Sequence, residues 1–518
     1  MGFISADRKQ IDLLGYSLDD FVPSNAKCRF VVDIVSRLDL TELYNRYSSQ
    51  GADAFDPSIM LATWFFAYSE GVTSTRKLEK LCKRDLHFIY VSANLRPDHS
   101  SFSRFRKDNL ELLSSYFEQI VRIAAEMGYS DFKLIVTDGT KIEAASSDKH
   151  SKNADGLARY LAAVRKDIQE YMQRCELAEL EENTPQDLQE IKKKLQHLQA
   201  LEKKLVERQQ QLEARKKNIK REYREKHQIN ITEPDAYVMN NVNDKPSAPA
   251  YNAQVSVDAK TQLIVAQDVV QDRNDSGQFS NQHQAVEKTL GKDPQREQIA
   301  DSGYYSLEQL EYIEQNQVNA IIADPTMVNK GDGNAFDKHQ SPEKIQKEGR
   351  RLEKSDFVYY EAGDYYLCPM GQTLTFAKRS SYKKRKGRQY RASNCDGCKL
   401  KSQCLSPQNK SGVRCIFRND KEHLAEKMRA ILQTEQAKEK LKLRRVTVEP
   451  VIGNIKSNLG FRRFNLMGLS NVKGEFSLMC IAHNLNKLYT LLFFYLFLQY
   501  FEKYRRKMEF FPYIYLVF

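Results

Sequence analysis

Three acidic residues stand out for the company they keep. Glu449 lies in RRVTVEPVIGNIKSNLGFRRF (residues 444–464), four residues after Arg445 and seven before Lys456. Four residues span about one helical turn and seven about two, so on a continuous helix that starts near Pro450 one carboxylate and two cations would address a single extended ligand. Such a face suits a metal-bound phosphodiester; it equally suits a solvated helix surface, where charges of this spacing are common. Asp138, in LIVTDGTKIEA (residues 134–144), and Asp301, in QIADSGYYSLEQLE (residues 298–311), each close a short apolar run of β type and precede Gly or Ser-Gly. A carboxylate at a strand end beside a small turn residue is rigidly held and open to a ligand, although each alone is also an ordinary strand-end aspartate.

The elements that must position these residues fall into distinct stretches. Up to about residue 131 the apolar spacing is helical: Leu61, Trp64, Phe65 and Tyr68 recur at three and four, Gly71 can end that helix, and Ser74 can start the next. A third helix after Pro97 carries Arg104, Arg106 and Lys107. Short helices joined by tight turns are compatible with a helix-turn-helix DNA reader, and also with a bundle that touches no DNA.

Residues 156–226 form a polar, helix-forming insertion with Pro185 in the turn ENTPQD. Beyond it Ile191, Leu198, Leu205, Leu212 and Ile219 recur every seven residues, with Leu188 and Leu195 in the complementary positions and Glu202 and Gln209 weakening the seam further out. That pattern predicts a coiled-coil hairpin, an arm that pairs with a second subunit, or a solvated strut. Strands resume over residues 252–268 as a hairpin around Asp258. A helix (280–291), the strand 297–300 leading into Asp301, a second helix (307–316) and the strand 319–324 complete a mixed α/β order.

Between residues 326 and 420 lies a second, basic insertion. Cys368 opens a Cys-Pro-Met-Gly turn, Cys395 and Cys398 have two residues between them, and Cys404 follows. The spacing is compatible with structural zinc in a zinc-ribbon-like lobe, with Cys415 as a replacement ligand, or with reduced thiols and no metal. The run KRSSYKKRKGRQYR (residues 378–391) interleaves cations with Tyr382 and Tyr390, a composition that DNA binding would require.

Composition sets outer bounds. The 518 residues carry a formal charge of +12, which favours a polyanionic partner. The nine cysteines are an odd number and several are isolated, as are Cys28, Cys82, Cys175 and Cys480, so a reducing cytoplasm is expected rather than a disulfide framework. The N-terminus turns charged before a signal-peptide core can develop. The apolar run at residues 488–501 is short of the roughly 20 residues a spanning helix needs, so a core or interface helix and no membrane partner are expected. The aromatic end, residues 510–518, reads as a subunit contact or an aggregation-prone extension.

DGTKIEA, YNAQVSVDAK with a following DRND, ADSGYYS and VEPVIGNIK with GFRRF, in that order, resemble the DDE transposases of bacterial insertion sequences, in particular the insertion sequence 1182 group. Residues 55–106 are similar to the N-terminal domain of the same proteins, and the resemblance runs from about residue 17 to residue 488. It implies an α/β protein with a ribonuclease H-like catalytic core (131–325 and 421–488), a helical DNA-binding domain (1–130), the coiled-coil (156–226) and cysteine-containing (326–420) insertions, and an apolar tail (489–518). It implies a transposase that binds the terminal inverted repeats of its element and the target DNA as a homodimer or higher assembly in the bacterial cytoplasm, associated with the nucleoid.

On this resemblance Asp138, Asp301 and Glu449 would be the catalytic acids, Asp138 bridging two ions and the others each holding one. Oxygen-only ligands select a hard ion, Mg2+ or Mn2+. Two such ions about 4 Å apart can activate water or a 3′-hydroxyl and stabilise the leaving oxygen, giving cleavage and strand transfer. Arg445 and Lys456 would steady a phosphate, and Arg462 and Arg463 would bind flanking backbone. Where the family often has Tyr, with two residues between it and the Arg, this chain has Lys442, followed by Leu443, Arg444 and Arg445. The competing expectations are a ribonuclease H-like nuclease without strand transfer and an inactive DNA-binding derivative.

Overall fold

The computed structural model describes residues 2–11, 15–47, 53–180, 185–217, 219, 221–325, 343, 346–347, 349–382 and 385–508. They form two compact units, the first comprising Met1–Asp275, Gln282–Asp293 and Arg445–Phe518, the second Ser276–Asn281 and Pro294–Arg444.

In the first unit the N-terminal helices gather around Pro57–Ser69. Asp56 caps that helix by accepting from the Ser58 N–H at 2.8 Å, and Pro57 sits in its first turn, where no intrahelical N–H is required. Its residues are buried on nearly every side, from Ile59 to Ser69, so the spacing of Leu61, Trp64, Phe65 and Tyr68 marks a central helix rather than a one-sided one. Gly71 ends it in the left-handed conformation at φ +66°, and Ser74 caps Thr75–Arg84. The helix His99–Asn109 follows its Asp98 cap. Arg106, one of the three cations the sequence places on this helix, lies 4.7 Å over the Trp64 ring and donates to Tyr68 Oη and the Thr73 carbonyl.

The sheet of this unit is built on Leu134–Glu143, antiparallel to Lys245–Asp258 with Ile135 opposite Asp258 and Glu143 opposite Ala250. Lys245–Asp258 also pairs with Tyr237–Val242 and with Ile264–Val270, so the expected hairpin is the centre of a wider sheet. Asp258 fixes the hairpin turn by accepting from the N–H and hydroxyl of Thr261. The long helix Leu469–Met508 buries Phe476, Met479, Ile481 and Leu485 and ties itself to the sheet through Asn484, whose amide group bonds both main-chain groups of Ile264 at 2.8 Å.

The insertion folds as helices Ala154–Leu180 and Pro185–Lys216. Leu198, Leu205 and Leu212 of the second share one cluster with Leu157, Leu161, Val164 and Ile168 of the first, so the heptad seam is closed within the chain. Ile219 falls beyond the end of the second helix.

The second unit contains a strand–helix–strand segment and a separate sheet. Glu297–Ala300 runs parallel to Ala320–Ile322, with helix Leu307–Gln315 between them in the chain. Helix Glu422–Leu432 is fixed to this segment by Arg429, which pairs at 2.7 Å with the buried Asp324, and by Lys427 with Glu314. The other sheet is antiparallel, in the order Val358–Tyr360, Tyr365–Leu367, Thr373–Tyr382, Arg385–Ala392, Cys415–Asn419, around Phe357, Tyr366, Leu374, Tyr390 and Ile416. No helix among the described residues is long and apolar enough to cross a membrane. The aromatic segment 510–518 lies outside the described residues.

Candidate active site

Asp138 does not end its strand, contrary to the expectation from Gly139. The strand continues to Glu143, and Gly139 is needed for a different reason. A Cβ there would come within 2.5 Å of both Asp275 Oδ1 and Gln254 Nε2 and 3.1 Å of Asn252 Oδ1. Asp275 accepts from Asn252 Nδ2 at 2.7 Å and from Gln254 Nε2 at 2.6 Å, and this polar knot occupies the space a side chain would fill. Successive strand residues face opposite sides, so the knot lies on the face of Gly139 and Lys141 while Asp138 projects from the other. Asp138 is half-buried, and its Oδ1 accepts from the Gly139 N–H at 2.8 Å. Sequence reasoning missed the role of Asp275, Asn252 and Gln254; the signal was present in the alternating polar residues Asn252, Gln254, Ser256 and Asp258 and in the DRND that follows.

Glu449 lies in helix Glu435–Gly453, and Pro450 is inside that helix rather than in its first turn. Proline has no N–H for the carbonyl four residues back. That carbonyl, of Val446, instead accepts from Gln262 Nε2 at 3.1 Å, so the vacancy becomes an anchor to the sheet. Arg445 and Glu449 share an exposed face, Nε to Oε1 at 4.0 Å. The helix then widens into a π-helical stretch, Asn454–Asn458, a geometry that is rare and concentrated at functional sites.

This widened stretch carries Lys456, whose Nζ donates to the Lys141 carbonyl at 2.7 Å. Burial first, then the nearby Arg462 and Lys141, bring its ammonium down to about 8. Further along, the Glu143 N–H donates to the Arg462 carbonyl at 3.2 Å and the Phe464 N–H to the Glu143 carbonyl at 2.9 Å. Arg463 donates from Nε to the Ala144 carbonyl at 2.9 Å and also bonds the Ala145 carbonyl, while Arg462 reaches Asp244 at 3.3 Å. The segment following Glu449 is thus stitched along the second half of the strand that bears Asp138.

Asp301 belongs to the second unit. It immediately follows Glu297–Ala300 and caps the short turn Ser302–Tyr304, its Oδ1 accepting from the Gly303 N–H at 2.8 Å. Asp301 thus ends its strand as the sequence suggested, and the Gly303 N–H orients its half-buried carboxylate.

Cys368, Cys395, Cys398 and Cys404 line one cavity of about 30 Å³, without Cys415. The Gln372 N–H donates to Cys368 Sγ at 3.3 Å, and burial first, with the three other thiols adding, pushes the Cys404 thiol up to about 11. No three of these sulfurs stand at metal-ligating spacing, so the structure does not support zinc in this lobe. More generally, no group of three His, Cys, Asp or Glu residues among the described residues is gathered at such spacing. The donor chemistry of Asp138, Asp301 and Glu449 nevertheless fits a hard divalent ion: all three offer oxygens only, and the two aspartates are each oriented by a main-chain N–H.

Residues 367–489 match the family model described as Transposase DDE domain, and residues 16–108 match the one described as Transposase domain (DUF772). The first match takes in Cys368, Cys395, Cys398 and Cys404 and Arg445, Glu449, Lys456, Arg462 and Arg463; Asp138 and Asp301 precede it. No curated protein matches the chain.

Proposed function

We propose that this chain, which carries the paired domains typical of transposases of the insertion sequence 1182 type, binds the ends of its own element and catalyses metal-dependent DNA cleavage and strand transfer. The observation that carries this reading is the attachment of the Glu449 segment to the Asp138 strand, through Lys456 to Lys141 and through the main-chain bonds of Glu143. The residues that follow the Glu449 helix are thereby bonded to the far half of the strand that bears Asp138, in one unit. Asp301, oriented by its own turn in the second unit, is assigned in this reading as the third acid.

In this reading Asp138, Asp301 and Glu449 would hold Mg2+ or Mn2+. The ions, when bound, would supply Lewis-acid activation of a water or 3′-hydroxyl and charge stabilisation at the leaving oxygen. The chain's own residues position the phosphate. Arg445 extends beside Glu449 on an exposed face, where its guanidinium can take a phosphate oxygen. Lys456 holds a positive charge near the Asp138 strand. Arg462 and Arg463 frame the exit of the segment, where DNA backbone would pass. Two ends must be held together for strand transfer, so the working form is assigned as a dimer or larger.

The test is a joining assay. Duplex DNA carrying the element's own ends is incubated with the full chain, Mg2+ and a supercoiled target. Covalent joining of the cut ends to the target is expected; cutting without joining would favour a ribonuclease H-like nuclease, and end binding without cutting would favour an inactive DNA-binding derivative.

A further inference from the structure

We propose that the ribbon formed by Thr373–Tyr382 and Arg385–Ala392 is a further duplex-DNA contact, gripping phosphates with Lys378, Arg379, Lys386 and Arg391. It rests on the proposed DNA-processing function and names a surface that function would use. The two strands pair in antiparallel register, Thr375 opposite Arg391, Lys378 opposite Gln389, Arg379 opposite Arg388 and Ser381 opposite Lys386. An irregularity between Phe376 and Lys378 changes which residues share a face. Lys378 consequently sides with Arg391, while Arg379 sides with Arg388 and Lys386, and both faces of the ribbon are cationic.

Several charges elsewhere in this unit are matched: Arg350 with Asp356, Lys354 with Glu422, Lys401 with Asp396 and Arg418 with Glu426. On the ribbon, Asp364 takes Arg388 at 3.1 Å, but Lys378, Arg379, Lys386 and Arg391 are exposed and have no side-chain partner among the described residues. Like charges placed directly across a sheet, as Arg379 and Arg388 are, oppose its formation. A polyanion would relieve them.

Shape agrees with charge. Along the ribbon Tyr365–Leu367 reaches only Thr373–Thr375, so among the described residues no strand pairs with that edge from Phe376 to Tyr382. Phe376 and Tyr382 expose 47% and 57% of their surface, one on each face of the ribbon, offering apolar contact to sugars beside the cations. Tyr390, read from the sequence as an exposed aromatic, is buried and bonded to Asp364, so it takes no part. A two-stranded ribbon fits a duplex major groove about 12 Å wide.

The experiment compares two full-length variants for duplex binding across a salt series. One carries Lys378→Gln, Arg379→Gln, Lys386→Gln and Arg391→Gln; the other removes four exposed arm charges, Lys166→Gln, Lys193→Gln, Lys194→Gln and Lys203→Gln. Both lower the formal charge equally, from +12 to about +8 by subtraction of four. With circular dichroism confirming both are folded, the ribbon variant is expected to lose about 0.9 of log–log salt slope per cation, about 3.6 in all, equally on unrelated sequences. The arm variant should keep the parent slope. Equal slopes in the two variants would overturn the proposal. So would parental DNA binding accompanied by aggregation of the ribbon variant, because the cations would then be guarding an open sheet edge. A parent that binds DNA with this slope difference yet cuts nothing would leave the ribbon standing and sink the catalytic reading; cutting with unchanged slopes would do the reverse.

Discussion

Lys456 Nζ donates to the main-chain carbonyl of Lys141 at 2.7 Å, joining the π-helical stretch after Glu449 to the strand that carries Asp138. The bond fixes an ammonium in partly buried surroundings, which is why its acidity departs from that of a surface lysine. Two consequences can be measured at this residue.

Lys456→Met removes both the bond and the charge. DNA cleavage should fall by about 10²-fold or more, the range seen when one charge-stabilising donor is deleted from an active site. Lys456→Arg keeps the charge at every pH tested. The ratio of parent to Arg-variant cleavage should therefore decline as pH rises through about 8, where the parent lysine loses its proton. The stability sign runs the other way: the folded-state value lies below the unfolded one, so the unfolded chain binds more protons between about 8 and the ordinary lysine value, and this group makes unfolding less favourable as pH rises through that window. Urea midpoints of parent and Lys456→Met, compared across the window, check the sign.

Gly139→Ala would drive a methyl group into Asp275 and Gln254. Overpacking of this kind costs about 1–3 kcal/mol, and here it would also shift the strand beside Asp138. Denaturant unfolding should show that loss. Asp275→Ala, which empties the knot, should make the second substitution less costly in the double variant than in the parent background.

How much of this was legible in the sequence differs residue by residue. The place of Asp301 at the end of its strand is legible because strand, cap and turn are all local: an apolar run, then Asp-Ser-Gly. Asp138 has the same local signature, yet its glycine answers to Asp275, more than a hundred residues away, and no local pattern distinguishes a turn from a tolerated close approach. Pro450 misleads in the same way, since the group that compensates for its missing N–H is Gln262 on the sheet. The heptads of the arm show that a seam exists; that its partner is Ala154–Leu180 of the same chain is seen only when both helices are in place. Tyr237–Val242 escaped notice because its partner strand begins with a proline-containing stretch, Lys245 to Pro249, that local pattern does not mark as β.

Glu475 is fully buried and takes the N–H groups of Asn465 and Leu466, the Asn465 amide at 2.8 Å and the Tyr68 hydroxyl at 3.4 Å. It anchors the chain just beyond Arg463 to the central N-terminal helix. Glu475→Gln keeps the shape but turns a donor toward donors. It should destabilise the fold by about 1–3 kcal/mol, visible as a lower denaturation midpoint.

In the arm, Leu205 and Leu212 are buried in the internal seam. Leu205→Ala should cost about 2–5 kcal/mol locally and expose the arm to limited proteolysis before the rest of the unit. Uniform proteolysis of the whole chain would mean that the arm is not an independent seam.

The account depends most on Asp138, Asp301 and Glu449 acting as one metal-dependent centre. The most direct measurement is Mg2+-dependent cutting of DNA carrying the element's ends by the parent and by Asp138→Ala, Asp301→Ala and Glu449→Ala, with end binding followed in parallel. Each substitution should abolish cutting while end binding stays near the parent level; a variant that still cuts, or one that loses binding in step with cutting, would contradict the assignment.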